Sequence, residues 1–151
     1  MLERKIREIL QNAGWFEGRN VDISGYVEFL NEEEYFVFER AADFLTEYGG
    51  LTIQFENPKR LGSYLHLTID PINAGKSILR ELSKRYENHC KESFVIIGEV
   101  SLMDMTWYIS STGAFYGGND DFLIRLGDNF CQSVLNLISG EEFEVVTIED
   151  E

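Results

Sequence analysis

At Gly49-Gly50 the apolar period of the chain changes, and that change restricts the fold more than any other feature. Before the pair, Tyr35, Phe38, Ala41, Ala42, Leu45 and Tyr48 form one stripe of a helix predicted over 32–47, with Glu32, Glu33 and Glu34 in a first turn whose dipole favours negative charge. After it, Leu51, Ile53 and Phe55 alternate with polar residues, as in a strand with one buried face. Two glycines give the chain the conformational freedom to reverse sharply between these elements. Helix and sheet must therefore share one core.

The pattern upstream is helical. Leu2, Ile6, Ile9, Leu10 and Ala13 define a helix over 2–13 that Gly14 stops, and Trp15, in the turn running to Gly18-Arg19, is expected to plug one end of the core. Val21 to Leu30 is ambiguous; Asp22 can cap a short helix with Tyr26, Phe29 and Leu30 inward. Downstream, Tyr64 to Ile69 alternates as a second strand. Asp70-Pro71 then opens a helix expected to run to about Asn88, with Ile72, Gly75, Leu79, Leu82 and Tyr86 inward. Strands are predicted over 94–97, where Gly98 breaks or bulges the chain, and over 105–110. Ser111-Thr112-Gly113 is a hairpin turn, Ala114-Phe115-Tyr116 the return strand, Gly117 to Asp121 a loop, and 122–125 an edge strand. Asp128 or Asn129 caps a last helix that buries Phe130, Val134, Leu137 and Ile138 and stops at Gly140. Phe143, Val145, Val146 and Ile148 in the acidic tail are candidates for a final strand. The expected fold is α+β: a single domain over 1–151, core about 2–140 and acidic segment 141–151. Its central, mostly antiparallel sheet has helices packed on one face.

Charge narrows the choice of partner. The 151 residues carry 27 acids against 13 lysines and arginines, a net −14. From Glu92 to Glu151 twelve acids face Arg125 alone, whereas 59–91 holds seven bases against Asp70, Glu81 and Glu87. Such a body repels nucleic acid and anionic membranes over most of its surface and suits a basic protein. No apolar run is long enough for a membrane span. No signal-peptide core follows the charged N-terminus, and the two cysteines, Cys90 and Cys131, cannot build a disulfide scaffold, so a reducing cytoplasm is expected.

Chemistry-bearing motifs are weak. Asn73-Ala-Gly-Lys-Ser77 matches the end of a phosphate loop, but Asp70 stands where its first glycine belongs and Pro71 favours a helix cap. His66 and His89 lie in different elements without metal-ligand spacing. No serine sits in a nucleophile elbow, and Cys131 on an apolar helix face reads as a buried, inert thiol. The expectation is no catalytic residue, no cofactor and no metal. Trp107, Tyr108, Phe115 and Tyr116 concentrate on one hairpin, and strand alternation leaves Tyr108 or Tyr116 as a candidate for exposure beside acids. The candidate partner-binding residues are Asp104, Trp107, Tyr108, Tyr116, Asp120 and Asp121.

The order of the punctuation resembles a known family. Ala13-Gly14-Trp15 with Gly18-Arg19, Phe44-Leu45-x-x-Tyr48-Gly49-Gly50-Leu51, Asp70-Pro71-x-x-Ala74, Ile97-Gly98-Glu99, Ile109-Ser-Ser-Thr-Gly113-x-x-Tyr116, Leu126-Gly127 and Ile138-Ser139-Gly140 together resemble the SUKH (Smi1/Knr4-like) superfamily, and its third immunity branch most closely. The resemblance implies a non-catalytic α+β protein of the bacterial cytoplasm that binds and neutralises a cognate polymorphic toxin, often a nuclease, encoded beside it. It implies scaffold roles for Gly14, Trp15, Arg19, Gly49, Gly50, Asp70, Pro71, Gly98 and Gly113, with Arg19 an ion-pair partner or part of a partner site. The alternatives are a regulatory scaffold domain like the eukaryotic relatives and a cryptic enzyme.

Overall fold

Alternation in the second half builds one sheet, and the computed structural model, which describes residues 4–101, 105–120 and 122–147, shows how the helices cover it. Among the described residues the elements are α1 (Arg4–Asn12), α2 (Ser24–Glu32), α3 (Glu39–Tyr48), β1 (Thr52–Glu56), β2 (Tyr64–Thr68), α4 (Pro71–Gly75), α5 (Arg80–Cys90), β3 (Phe94–Val100), β4 (Met105–Ser110), β5 (Phe115–Asn119), β6 (Phe122–Gly127), α6 (Phe130–Ile138) and β7 (Val145–Thr147). The seven strands lie side by side in chain order, each antiparallel to the next. The α+β class expected from the sequence is the observed one.

A set of local contacts fastens the first half. Gly14 ends α1 with φ 106°, and Trp15 is 6% exposed with its indole Nε1 donating to Glu47 Oε2 at 2.9 Å. Arg19 holds backbone carbonyls. Its guanidinium donates to the carbonyls of Glu47 (2.6 Å) and Gly49 (2.8 Å), satisfying acceptors that the end of α3 leaves open. Gly50 has φ 85°, so the reversal into β1 needs the left-handed conformation that glycine adopts without strain. Asp70 caps α4, its Oδ1 accepting from the backbone N–H of Ile72 (3.0 Å) and Asn73 (3.1 Å), and Pro71 takes the first helical position.

Two predicted helices have different limits. The stripe expected over 32–47 begins only at Glu39, because Glu33 closes α2 and Glu34 turns the chain with φ 66°. Glu32–Glu34 thus finish one helix instead of opening the next. The turn is fixed by Tyr35 N–H donating to the Leu30 carbonyl at 2.9 Å and by the Tyr35 hydroxyl lying 3.0 Å from Ser83 Oγ on α5. The helix expected over 71–88 is broken into α4 and α5. Gly75 is pressed against Phe29, a Cβ there standing 2.6 Å from the ring, and Leu79, expected inside, is an extended N-cap residue 75% exposed. The break redirects α5 so that Tyr86 reaches Tyr108 on β4, ring centroids 5.7 Å apart.

That contact also corrects the expectation of helices on one face. Neighbouring residues on a strand point to opposite sides. Trp107 meets Phe130 of α6, centroids 6.3 Å apart, while Tyr108 meets Tyr86 of α5. The central strands are therefore covered on both faces, and β3 shows it as an almost unbroken buried run. The β1–β2 end leaves one side open, where Thr52, Gln54, Glu56 and Tyr64 are exposed.

The glycines of the sheet mark close approaches. The register slips between Ile96 and Gly98, the bulge the sequence suggested, and a Cβ on Gly98 would run into the Thr68 carbonyl oxygen. At Gly113, φ 93°, the hairpin turn passes Arg40. Gly117 and Gly118, expected in a loop, lie inside β5. A Cβ on Gly117 would strike Met105 Sδ, and one on Gly118 would stand 2.7 Å from the Tyr86 ring, so bare backbone is what lets side chains lie over both sides of this strand. Nor is β6 an edge: β7 pairs with it, Val145 opposite Ile124.

Burial raises the pKa values of Tyr35, Tyr48, Tyr108 and Tyr116, Tyr108 well above the ordinary value. A folded-state pKa raised above the unfolded value of about 10 contributes stability that is present below that pH and lost as pH climbs past it. In an alkaline titration, the phenolate absorbance of these tyrosines is expected to rise together with loss of circular dichroism. Full ionisation near the ordinary value with the dichroism intact would contradict their burial.

Candidate functional site

The expected aromatic clamp lies inside the protein. Trp107 and Tyr108 are fully buried and Tyr116 is 7% exposed. Tyr108 is held between Tyr86 and Phe94, and Tyr116 stacks on Phe94 at 5.0 Å with its hydroxyl 3.4 Å from Glu92 Oε2. This corrects the expectation that Tyr108 or Tyr116 is exposed. Its physical reason is the second helical layer, α5, over the face they occupy. Asp120 is exposed at the β5–β6 turn with φ 50°, its carbonyl accepting from the Tyr86 hydroxyl at 2.7 Å. Asp104 and Asp121 lie outside the described residues.

Apolar surface that the sequence reading missed adjoins that turn. Phe122, which opens β6, is 58% exposed, and Val145 on β7 is 54% exposed. Ile124 lies two residues after Phe122 and directly opposite Val145, so all three occupy the same face of the sheet. Alternation in the tail was the available signal, but it could not tell which side of a last strand would stay uncovered.

The other candidates resolve into structure. Around Asn73-Ala-Gly-Lys-Ser77, two backbone N–H groups are taken by Asp70, and Asn73 Nδ2 donates to Glu99 Oε1 at 2.8 Å. Thr112 donates to Glu92 Oε1 at 2.6 Å and lies 3.2 Å from Ser110 Oγ, which fastens the β4–β5 turn to the segment after α5. Cys90 and Cys131 are both half-buried, so Cys131 is less enclosed than expected, and burial with Glu92 nearby pushes the Cys90 thiol up. Cys131 shares a groove of about 1000 Å³ with Trp15, Glu47, Tyr48 and Phe130. No group of three or more histidine, cysteine, aspartate or glutamate side chains able to hold a metal occurs among the described residues. Among them, no helix is long and apolar enough to cross a membrane.

These features define an α+β domain with exposed apolar side chains, Phe122 and Val145, on the β6–β7 end beside Glu141, Glu142 and Glu144. Residues 2–140 match the SUKH-3 immunity protein family, and the chain belongs to that family. Membership suggests toxin immunity and implies a cognate toxin as partner. No curated protein and no solved structure matches the chain.

Proposed function

We propose that this chain binds a basic toxin domain and neutralises it without catalysing a reaction, in the cytoplasm of the cell that makes both. The observation that carries the reading is the family match over residues 2–140. The net charge of −14 adds the sign of the partner. A nuclease is the toxin class this charge favours, because an acidic surface can cover a groove built for phosphates and speed encounter with it. Asp120, Glu141, Glu142 and Glu144, all exposed, supply acidity at the β5–β6 turn and in the segment leading into β7. With Asp104 and Asp121 they form the proposed steering face. Trp107, Tyr108 and Tyr116 belong to this proposal as the packed floor that holds the hairpin, not as contacts.

The test is surface plasmon resonance against the toxin domain encoded beside the gene, across a salt series. The association rate is expected to fall steeply with salt, since exposed charges are screened over about 8 Å at physiological ionic strength. Reversing Asp120 and Asp121 together to lysine is expected to slow association while circular dichroism stays unchanged. Rates flat with salt and unaltered in the reversal would sink the steering face. No binding to that toxin would remove the immunity reading and favour a regulatory scaffold.

A further inference from the structure

The apolar face beside the acidic tail ends in a pocket. Its volume is about 520 Å³, and Leu65, Met105, Ile124, Leu137, Phe143 and Val145 line it. Each wall has an identifiable origin. Bare backbone at Gly117 lets Met105 on β4 lie over β5 toward Ile124 on β6. Leu137 comes from the last turn of α6, and a Cβ on Gly140 would stand 3.2 Å from Pro58, so the helix end and the β1–β2 loop close one side. The segment 141–145 folds back past this opening before β7 pairs with β6.

We propose that this pocket receives an apolar side chain of the toxin that has a basic residue beside it. The proposal rests on the immunity reading and goes beyond it by naming the anchor site. Three observations support that occupant. The volume of about 520 Å³ is ample for a large aliphatic or aromatic side chain together with part of its neighbour. The opening continues into Phe122 and Val145, 58% and 54% exposed on the same face, an apolar ridge of the kind that surrounds an interface anchor. Its lining includes Glu141 and Glu142 with Lys59, and two further exposed acids, Asp120 and Glu144, stand close in sequence to Phe122 and Val145, so a basic flank on the partner is favoured and an acidic one repelled.

The experiment uses the whole chain and the neighbouring toxin domain, with binding followed by surface plasmon resonance. Val145→Lys places a charge at the mouth from an exposed position that folding tolerates, and Phe143→Ala opens a wall. Phe16→Ala, an exposed aromatic in the turn after α1, is the control. Val145→Lys and Phe143→Ala are each expected to weaken binding about thirtyfold or more, mostly through faster dissociation, while Phe16→Ala leaves it unchanged. Thermal denaturation checks that each variant is folded, and Val145→Lys alone suffices if Phe143→Ala is not. Parent-like affinity in folded Val145→Lys gives the pocket to another occupant and overturns the proposal while toxin binding stands. No binding by the unmodified chain overturns the immunity reading and the pocket with it.

Discussion

Replacing Trp107 by alanine is expected to lower the unfolding free energy by about 3–5 kcal/mol, the loss typical of a large buried ring. Trp107 is fully buried on β4, with Phe115 and Phe130 rings each 6.3 Å from its own. Phe130 in turn meets Phe44 at 4.9 Å and Tyr48 at 4.7 Å. The indole therefore packs β4 on β5 and α6, and Phe130 carries that packing on to α3, so a cavity there removes contacts with two elements and loosens a ring that holds a third. Its Nε1 has no hydrogen-bond partner among the described residues. A buried, unpaired donor is itself destabilising, so Trp107→Phe is expected to cost much less than alanine, about 1–2 kcal/mol. Urea denaturation checks both, the midpoint shifting while the slope stays near the parent's. A parent-like midpoint in Trp107→Ala, with toxin binding weakened, would return Trp107 to the surface.

The contrast between Trp107 and Phe122 shows where sequence pattern stops informing. Alternation placed Met105, Trp107 and Ile109 on one side of a strand and Thr106, Tyr108 and Ser110 on the other, and Trp107 does meet α6 while Tyr108 meets α5. Alternation says nothing about what covers each side. Tyr108 looked available because one helical layer was expected, and α5 supplies the second. The same limit hid Phe122 and Val145: their face was legible, its vacancy was not.

Element boundaries failed for a related reason. Ile72, Gly75, Leu79, Leu82 and Tyr86 keep helical spacing through the break between α4 and α5, so periodicity reported one helix. Gly75, the last residue of α4, packs on Phe29 just before the break, a tertiary contact that apolar spacing does not report. Capping chemistry, by contrast, was local and legible. Asp70 holds the start of α4, and Asn129 holds α6 with its side chain accepting from Gln132 N–H at 2.8 Å. Gly117-Gly118 read as a loop because glycine usually punctuates one; here it makes room for Met105 and Tyr86.

Removing Arg80 is the other change with a large expected effect. Its guanidinium donates from Nη1 to Glu87 Oε1 (2.6 Å) and Ser83 Oγ (2.8 Å) and from Nη2 to the Glu34 carbonyl (3.2 Å), and it stacks 3.9 Å over the Tyr35 ring. Glu87 Oε2 accepts the Phe94 N–H at 2.9 Å, so one ion pair connects the left-handed turn before α3, the helix α5 and the start of β3. The pair is only 14% and 17% exposed. Arg80→Ala leaves the Glu87 carboxylate mostly buried and without its cation, a change that costs about 3–5 kcal/mol in comparable sites. Arg80 Nε is buried with no acceptor among the described residues, which offsets part of what the pair contributes and puts the expected loss near 3 kcal/mol. Arg80→Lys is not expected to rescue, because an ammonium cannot present the planar fork that reaches Glu87, Ser83 and the Glu34 carbonyl together. Lys84 is the internal comparison. Its ammonium pairs with Glu34 Oε1 at 3.1 Å, but the two side chains are 45% and 70% exposed, so Lys84→Ala should cost no more than about 1 kcal/mol and less in high salt. Denaturation of the three variants in low and high salt decides the matter. If Arg80→Ala were no less stable than Lys84→Ala, the buried pair would not be what holds α5 to the turn before α3.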